Sequence, residues 1–486
     1  MNTSSRSIHP ASGALASAER LTFNLGPVAG SSARSDEYSF ATAPQATQRD
    51  WGYFGLLAFT AVLLLRPQDH MSSLEPLHLA EVCALIGIGP MLLHRFARRL
   101  PAFRVNNETV ALVAFGAVML ATVPFSIWPG GALAEVTNSY VKIVIVFVLM
   151  MNTLTTTNRL RRLTWLILLC TGVIAALSVS NYVRGINLVE GGRLAGPIGG
   201  IFGNPNDLAM NMVAFLPAAL VVALSQRHSA GRRLVAATIA ALMLATIVFT
   251  KSRGGALGIV AVLAGLAMYG RLVRRGFGTI AIVGVLVVLP FLPSSFWARM
   301  TTIVDEQQDK QFTGSREARE TVMQEGINTF LEYPLTGVGV GQFKNYNPPE
   351  RKARWLETHN ALIQVAAETG VFGLIAFSFL IAAAAGAAFT THRIIRTRRA
   401  QGKLSDEERE DSAVLSEHII GLSVGLIGWF VCALFASVAY NWTFYYLLAL
   451  IVAARELVYD RFPSAVPSPK KKMSVPRTAL FQERAS

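Results

Sequence analysis

The chain has 486 residues, of which 52% are hydrophobic and only 15% charged, with a mean hydropathy of +0.42. Soluble domains carry about 25% charged residues, so a soluble class is excluded, and the missing ten-residue alternating strands exclude an outer-membrane barrel. The formal net charge of +14 does not point to nucleic acid, because no aromatic-interleaved basic patch accompanies it and an Arg/Lys excess is the usual mark of cytoplasmic loops.

Residues 1–49 are rich in Ser and Ala, lack the apolar core of a signal peptide and read as a disordered tail. Apolar runs follow at 51–65, 77–93, 108–127, 135–152, 162–180, 206–225, 233–250, 254–270, 277–293, 359–390, 418–438 and 442–459. Most have the length of a membrane-crossing helix. The chain is therefore expected to be an all-α polytopic membrane protein with about twelve spans. With the N-terminal tail inside, the inner segments carry 30 Lys and Arg and the outer segments 13, of which 8 fall in one long loop, 294–358. The positive-inside rule then places both termini in the cytoplasm and that loop outside. Cys83, Cys170 and Cys432 lie within apolar runs and read as small core residues. The eight histidines show no zinc-binding spacing.

The few basic residues in the short outer loops stand against that rule. Arg193 lies in Gly192-Arg193-Leu194-Ala195-Gly196, ahead of Gly203-Asn204-Pro205-Asn206-Asp207; Lys251 and Arg253 lie in Thr250-Lys251-Ser252-Arg253-Gly254. His359 opens the tenth run on the same side. At 100° per residue, Ile363, Ala366, Gly370 and Gly373 are expected on its helix face, a small-residue seam open to another helix, with Glu368 roughly opposite. Glu190, Asp207 and Glu357 are also expected near the outer face. Within the long loop, Val322, Met323, Ile327, Phe330 and Leu331 share one side of an amphipathic helix over 316–331, ended by Pro334. Gly337-Val338-Gly339-Val340-Gly341 follows. It reads either as a flexible turn or as a backbone cradle for an anion. Asn204 and Asn206 suit shaping of the turn after Gly203. Loop 392–417 and the tail around Lys470-Lys471-Lys472 read as basic, lipid-facing segments.

His359-Asn360 followed after nine residues by Gly370-Val371-Phe372-Gly373 resembles the histidine motif of the O-antigen ligase and polymerase superfamily. Arg193 with Gly203-Asn204-Pro205-Asn206, and Ser252-Arg253-Gly254, resemble its two arginine motifs. Phe330 to Pro334 with Gly337, Gly339, Gly341 and Phe343 is similar to its segment ahead of the histidine. Leu65-Arg66-Pro67-Gln68 is similar to a subfamily of glycan ligases linked to exopolysaccharide and protein sorting. The resemblance implies a membrane glycosyltransferase of the C type with one large periplasmic loop. It implies transfer of a glycan from undecaprenyl diphosphate to an acceptor hydroxyl at the periplasmic face of the bacterial inner membrane. The acceptor would be a glycan, a lipid A core or a protein, with no cofactor, no metal and no nucleotide sugar. Carried onto this chain, it implies catalytic roles for His359, Arg193 and Arg253 and substrate contacts for Lys251, Asn204 and Asn206. The implied organisation is a tail (1–49), N-terminal membrane helices (50–189), a catalytic membrane region (190–380), C-terminal membrane helices (381–460) and a basic tail (461–486). A polysaccharide transporter or flippase is the alternative; it would place unusual charges at mid-membrane on broken helices, whereas these cluster at one face.

Overall fold

The computed structural model describes residues 50–269, 294–301, 315–351, 355–402 and 404–462. The apolar runs become helices: α1 Trp51–Leu65, the single turn α2 Pro67–His70, α3 Leu79–Ala97, α4 Asn107–Thr122, α5 Pro129–Glu135, α6 Val141–Thr153, α7 Thr157–Val183, α8 Pro205–Leu224, α9 Ala230–Thr250 and α10 Arg253–Tyr269. After them come the loop helices α11 Ser294–Thr301 and α12 Ser315–Glu332, then α13 Ala361–Ala400, α14 Asp406–Ala433 and α15 Trp442–Arg461. Among the described residues, nine helical stretches are long and apolar enough to cross a bilayer. The protein is an all-α, multi-pass membrane protein. Two of the expected spans are short, α1 with 15 residues and α10 with 17, or roughly 22 and 26 Å at 1.5 Å per residue, against a hydrocarbon core of about 30 Å. The run at 277–293, the tail 1–49 and Lys470 to Lys472 lie outside the described residues.

Helices α8, α14 and α15 form the centre. Trp429 of α14 stacks on Phe444 of α15 at 4.6 Å, and Phe377 of α13 meets the same Phe444 at 5.7 Å. Small residues set the approach: a side chain at Gly425 of α14 would lie 2.2 Å from the carbonyl of Ala214 in α8, a separation only glycine permits. At one end of the bundle polar groups pair off. Arg455 holds Glu108 through both guanidinium nitrogens at 2.6 and 2.7 Å, and the Glu417 carboxylate takes the Ser225 hydroxyl and meets the His228 ring. The opposite end carries Arg66, the two-stranded ribbon β1 Leu188–Val189 and β2 Arg193–Leu194, the turn at Lys251 and the start of α13.

Helix α13 has 40 residues, about 60 Å of helix at 1.5 Å per residue, so its Arg-rich last turns run past the hydrocarbon. Its first turns depart from the sequence expectation. The helix starts at Ala361, capped by the Asn360 side chain, which accepts the Leu362 and Ile363 N–H groups at 2.9 and 3.1 Å. His359 precedes it with φ +51°, so the helical-wheel placement of His359 over Ile363, Ala366, Gly370 and Gly373 does not hold. Gly370 interrupts the helix with φ +67° and ψ −164°, a region open essentially to glycine alone. The small residues receive a loop backbone rather than another helix. A Cβ at Gly337 would lie 2.3 Å from the Glu368 backbone, and one at Gly370 2.5 Å from the Leu335 backbone.

That break frees carbonyls, and the glycine-rich loop takes them. Val371 N–H turns to Pro334 O at 2.8 Å, while Val338 and Gly339 N–H donate to Ala367 O and Glu368 O, each at 2.9 Å. On the loop's other side Val338 O accepts Ile127 N–H and the Ser126 hydroxyl, both at 3.1 Å. The segment is thus pinned on both sides rather than a free turn. Helix α12 matches its expected bounds, but its face differs. Val322, Gly326 and Thr329 are buried, whereas Ile327 and Leu331 are exposed. The helix seats its small and β-branched stripe on α13, because Gly326 is the position where Ile363 and Thr358 come close.

Replacing Gly370 with alanine forces a side chain into a glycine-only conformation and into the Leu335 backbone. The expected cost is about 1–3 kcal/mol for the backbone alone, read as a lowered thermal midpoint in detergent. Gly386→Ala in the same helix, where a Cβ meets nothing within 4 Å, should leave the midpoint unchanged or slightly raised.

Candidate functional site

Three turns build the site. The first is the ribbon before α8. Arg193, half-buried, donates through Nε to Thr250 O at 3.2 Å and through Nη2 to Asn206 Oδ1 at 2.8 Å. Asn204 caps α8, accepting the Asn206 and Asp207 N–H groups at 2.9 Å, and donates to the Asp207 carboxylate at 2.6 Å. Pro205 at the first helical position completes a standard helix start.

The second turn joins α9 to α10. Lys251 adopts φ +49° and closes α9 through its N–H to Val248 O. Its side chain is buried and donates to Gly191 O at 3.1 Å. Burial lowers the Lys251 pKa, and the neighbouring charges of Arg299 and Arg193 lower it further. Ser252 donates to Asn206 Oδ1 at 3.0 Å and accepts Gly255 N–H at 3.2 Å. One amide oxygen, that of Asn206, therefore ties Arg193 to the turn that launches Arg253 at the head of α10. A positive cluster of Arg193, Lys251 and Arg299 results, with Arg253 two residues from Lys251 in sequence.

The third turn, between α14 and α15, holds His359. Its N–H donates to Ser437 Oγ at 2.9 Å, Thr358 shares that hydroxyl at 3.1 Å, and Asn360 Nδ2 donates to Leu434 O at 3.2 Å. The same turn reaches α10, since Cys432 Sγ donates to Gly254 O at 3.4 Å. Burial drops the His359 pKa to about 4, helped by the positive charge of Arg319 on α12. The ring is therefore neutral at pH 7. A neutral imidazole accepts a proton, whereas only an imidazolium pairs with phosphate through charge.

Glu368, expected opposite His359, proves central by another route. It is 3% exposed, and its carboxylate accepts Gly341 N–H at 2.9 Å and Phe343 N–H at 3.3 Å. The glycine-rich loop cradles a carboxyl group, and that carboxyl belongs to the protein. Arg351 does the matching work on the loop. Buried, it reaches Glu325 at 3.1 Å, Phe343 O at 2.6 Å, Leu356 O at 2.9 Å and also Tyr346 O, and it lies over the Phe343 ring at 4.2 Å. These bonds set the path of the chain into Glu357, Thr358 and His359. In sequence Arg351 is one of eight Lys and Arg in the loop and nothing local marks it. Ser437 was hidden because 418–438 reads as one apolar run.

Residues 238–378 match the O-Antigen ligase family model. That stretch, less than a third of the chain, is similar to the O-antigen ligase family. The match takes in Lys251, Arg253, Glu368, the glycine-rich loop and His359, and begins after Arg193, Asn204 and Asn206. No curated protein matches the chain. Among the described residues no group of three His, Cys, Asp or Glu is placed to hold a metal ion. The matched stretch contains α10 and the start of α13, and both meet the α14–α15 region, which lies beyond it.

The depressed His359 pKa has a sign. The folded protein favours the neutral ring, so this contribution to stability is complete above the unfolded value near 6.5 and is lost as pH falls toward 4. Imidazole-edited NMR, with His359→Asn identifying the resonance, should show a midpoint well below 6.5, and Arg319→Ala should raise it. A midpoint at or above 6.5 would contradict a neutral ring.

Proposed function

We propose that the protein is a metal-independent glycosyltransferase, ligase- or polymerase-like, that moves a glycan from undecaprenyl diphosphate to an acceptor hydroxyl at the periplasmic face of the inner membrane. The observation that carries this reading is the pairing of a positive cluster around Arg193 and Lys251 with a neutral, buried-side His359 at the same end of the bundle, within and beside the O-antigen ligase match. In this reading Arg193 and Arg253 hold the diphosphate. Arginine suits that task, because its planar fork fits phosphate oxygens and its charge persists at any working pH. His359 takes the proton from the acceptor hydroxyl as the oxygen bonds to the anomeric carbon. The bond from that carbon to the diphosphate oxygen breaks, and the electron pair leaves on the diphosphate, whose charge the arginines balance. Asn206 positions Arg193 and the Arg253 turn, Lys251 fixes the ribbon through Gly191, and Asn204 sets the start of α8. The lipid tail stays in the bilayer while its headgroup reaches helix ends at the interface. Both termini are cytoplasmic in this reading, and the match in charge pattern between short loops supports it.

The test separates holding from proton transfer. Arg193→Lys and Arg253→Lys should weaken binding of undecaprenyl diphosphate-linked donor, and the alanine variants should weaken it more. His359→Ala should bind donor nearly normally and lose about a hundredfold to ten-thousandfold in transfer rate. Equal loss of donor binding in His359→Ala would move the histidine into the phosphate-holding group. Activity should persist in excess chelator; loss restored by magnesium would overturn the metal-independent account. A cysteine at exposed Leu335 should react with an impermeant maleimide from the periplasmic side, and reaction only after permeabilisation would reverse the orientation.

A further inference from the structure

A pocket of ≈ 210 Å³ has Thr358, the residue before His359, and Ser437 in its wall. It is smaller than the roughly 300–1,000 Å³ of a drug-sized site, which suits one sugar ring rather than an oligosaccharide. Its other polar walls are Glu135, Lys344, Glu357, Gln364, Tyr440 and Asn441, above the Glu368 carboxylate. Several of these groups have unused hydrogen-bonding capacity. Glu135, Glu357 and Lys344 make no side-chain ion pair among the described residues, and the Tyr440 hydroxyl lies beside the Glu368 carboxyl. Glu135 also sits immediately before a π-helical turn, Val136–Tyr140, a distortion that recurs at functional sites.

The charge of this pocket is opposite to that of the arginine side. Two carboxylates, Glu135 and Glu357, face one ammonium, Lys344, with the buried Glu368 carboxyl beneath them. Carboxylates accept hydrogen bonds and donate none, so they match sugar hydroxyls and repel phosphate or a sugar acid. Glu357 is within electrostatic reach of Asp207 at the head of α8, so the acidic pocket and the Arg193 network adjoin. We propose that this pocket is the acceptor subsite and takes an uncharged, hydroxyl-rich saccharide. The proposal rests on the transferase reading given above. The site sorts its two substrates by charge: the diphosphate goes to the guanidinium side and the hydroxyl-bearing ring to the carboxylate side, where Thr358 of the pocket wall leads into His359. Glu135 and Glu357 are specificity-determining residues in this arrangement.

The test uses the full chain in nanodiscs loaded with undecaprenyl diphosphate, whose own binding is measured first. Saturation-transfer NMR then titrates a panel of methyl hexopyranosides and the matching hexose 6-phosphates. At least one neutral glycoside should bind, and the phosphates should not. The double variant Glu135→Gln/Glu357→Gln should lower the neutral probe's affinity about tenfold, the loss expected when charged hydrogen-bond partners are removed, with undecaprenyl diphosphate binding unchanged. Glu357→Arg, at an exposed position, should turn the preference toward the phosphates. Equal binding of both probe classes, no neutral binding, or no change in either variant overturns the acceptor assignment. Failure of the wild-type protein to bind undecaprenyl diphosphate overturns the donor reading instead, whatever the sugars do.

Discussion

A buried carboxylate in a membrane helix has to be met by hydrogen-bond donors, and here the donors are main-chain amides. Glu368 receives Gly341 and Phe343 N–H, and the two segments cannot be separated without leaving a charge or a polar acid exposed to hydrocarbon. The same contact explains the glycines. Backbone can approach a helix this closely only if neither side carries a Cβ at the crossing, which is the situation at Gly337 and Gly370. The helix break at Gly370 then supplies unpaired carbonyls, and the loop supplies the N–H groups that answer them. Loop and helix are therefore one unit, and the residues between them inherit its position.

His359 is one of those residues. From the loop side Arg351 fixes the chain up to Leu356; from the helix side Asn360 fixes the first turn of α13. Ser437 then holds the His359 N–H, which keeps a non-glycine residue at φ +51° without a free backbone donor. A left-handed residue at the head of a helix directs its side chain away from the helix surface, so the ring is presented by the backbone rather than by a helix face. The strain is local and is answered by hydrogen bonds on both flanks.

Electrostatics at this end of the bundle is divided. Arg193, Lys251 and Arg299 lie together, and their mutual repulsion together with burial makes the Lys251 ammonium easier to deprotonate. Nearby, Glu135, Glu357 and Glu368 gather on the other side of Thr358. The opposite end of the bundle is built differently: Arg455 with Glu108, and Arg461 with Glu407 and Asp411, are paired within the protein. Paired charge secures the helices at that end.

The membrane class, most helix positions and the α12 bounds followed from apolar run length, because a bilayer asks only for a segment of sufficient length without charge. The outer residues Arg193, Lys251 and Arg253 stood out for a related reason: they broke a charge rule that the short inner loops obeyed. Asn204 was legible as a turn residue, and it caps α8. The tertiary structure alone decided the rest. Periodicity assumes that the helix runs through His359 and on without a break, so it misplaced His359, which lies ahead of the Asn360 cap, and did not foresee the interruption at Gly370. It also misjudged the exposed side of α12, since packing there follows Gly326 rather than the largest apolar groups. Arg351, Ser437, Glu135 and Tyr440 owe their places to contacts across long sequence separations. A hydrogen bond between residues 78 apart, such as His359 to Ser437, leaves no periodic trace in either segment, because what fixes it is the path of the chain between them.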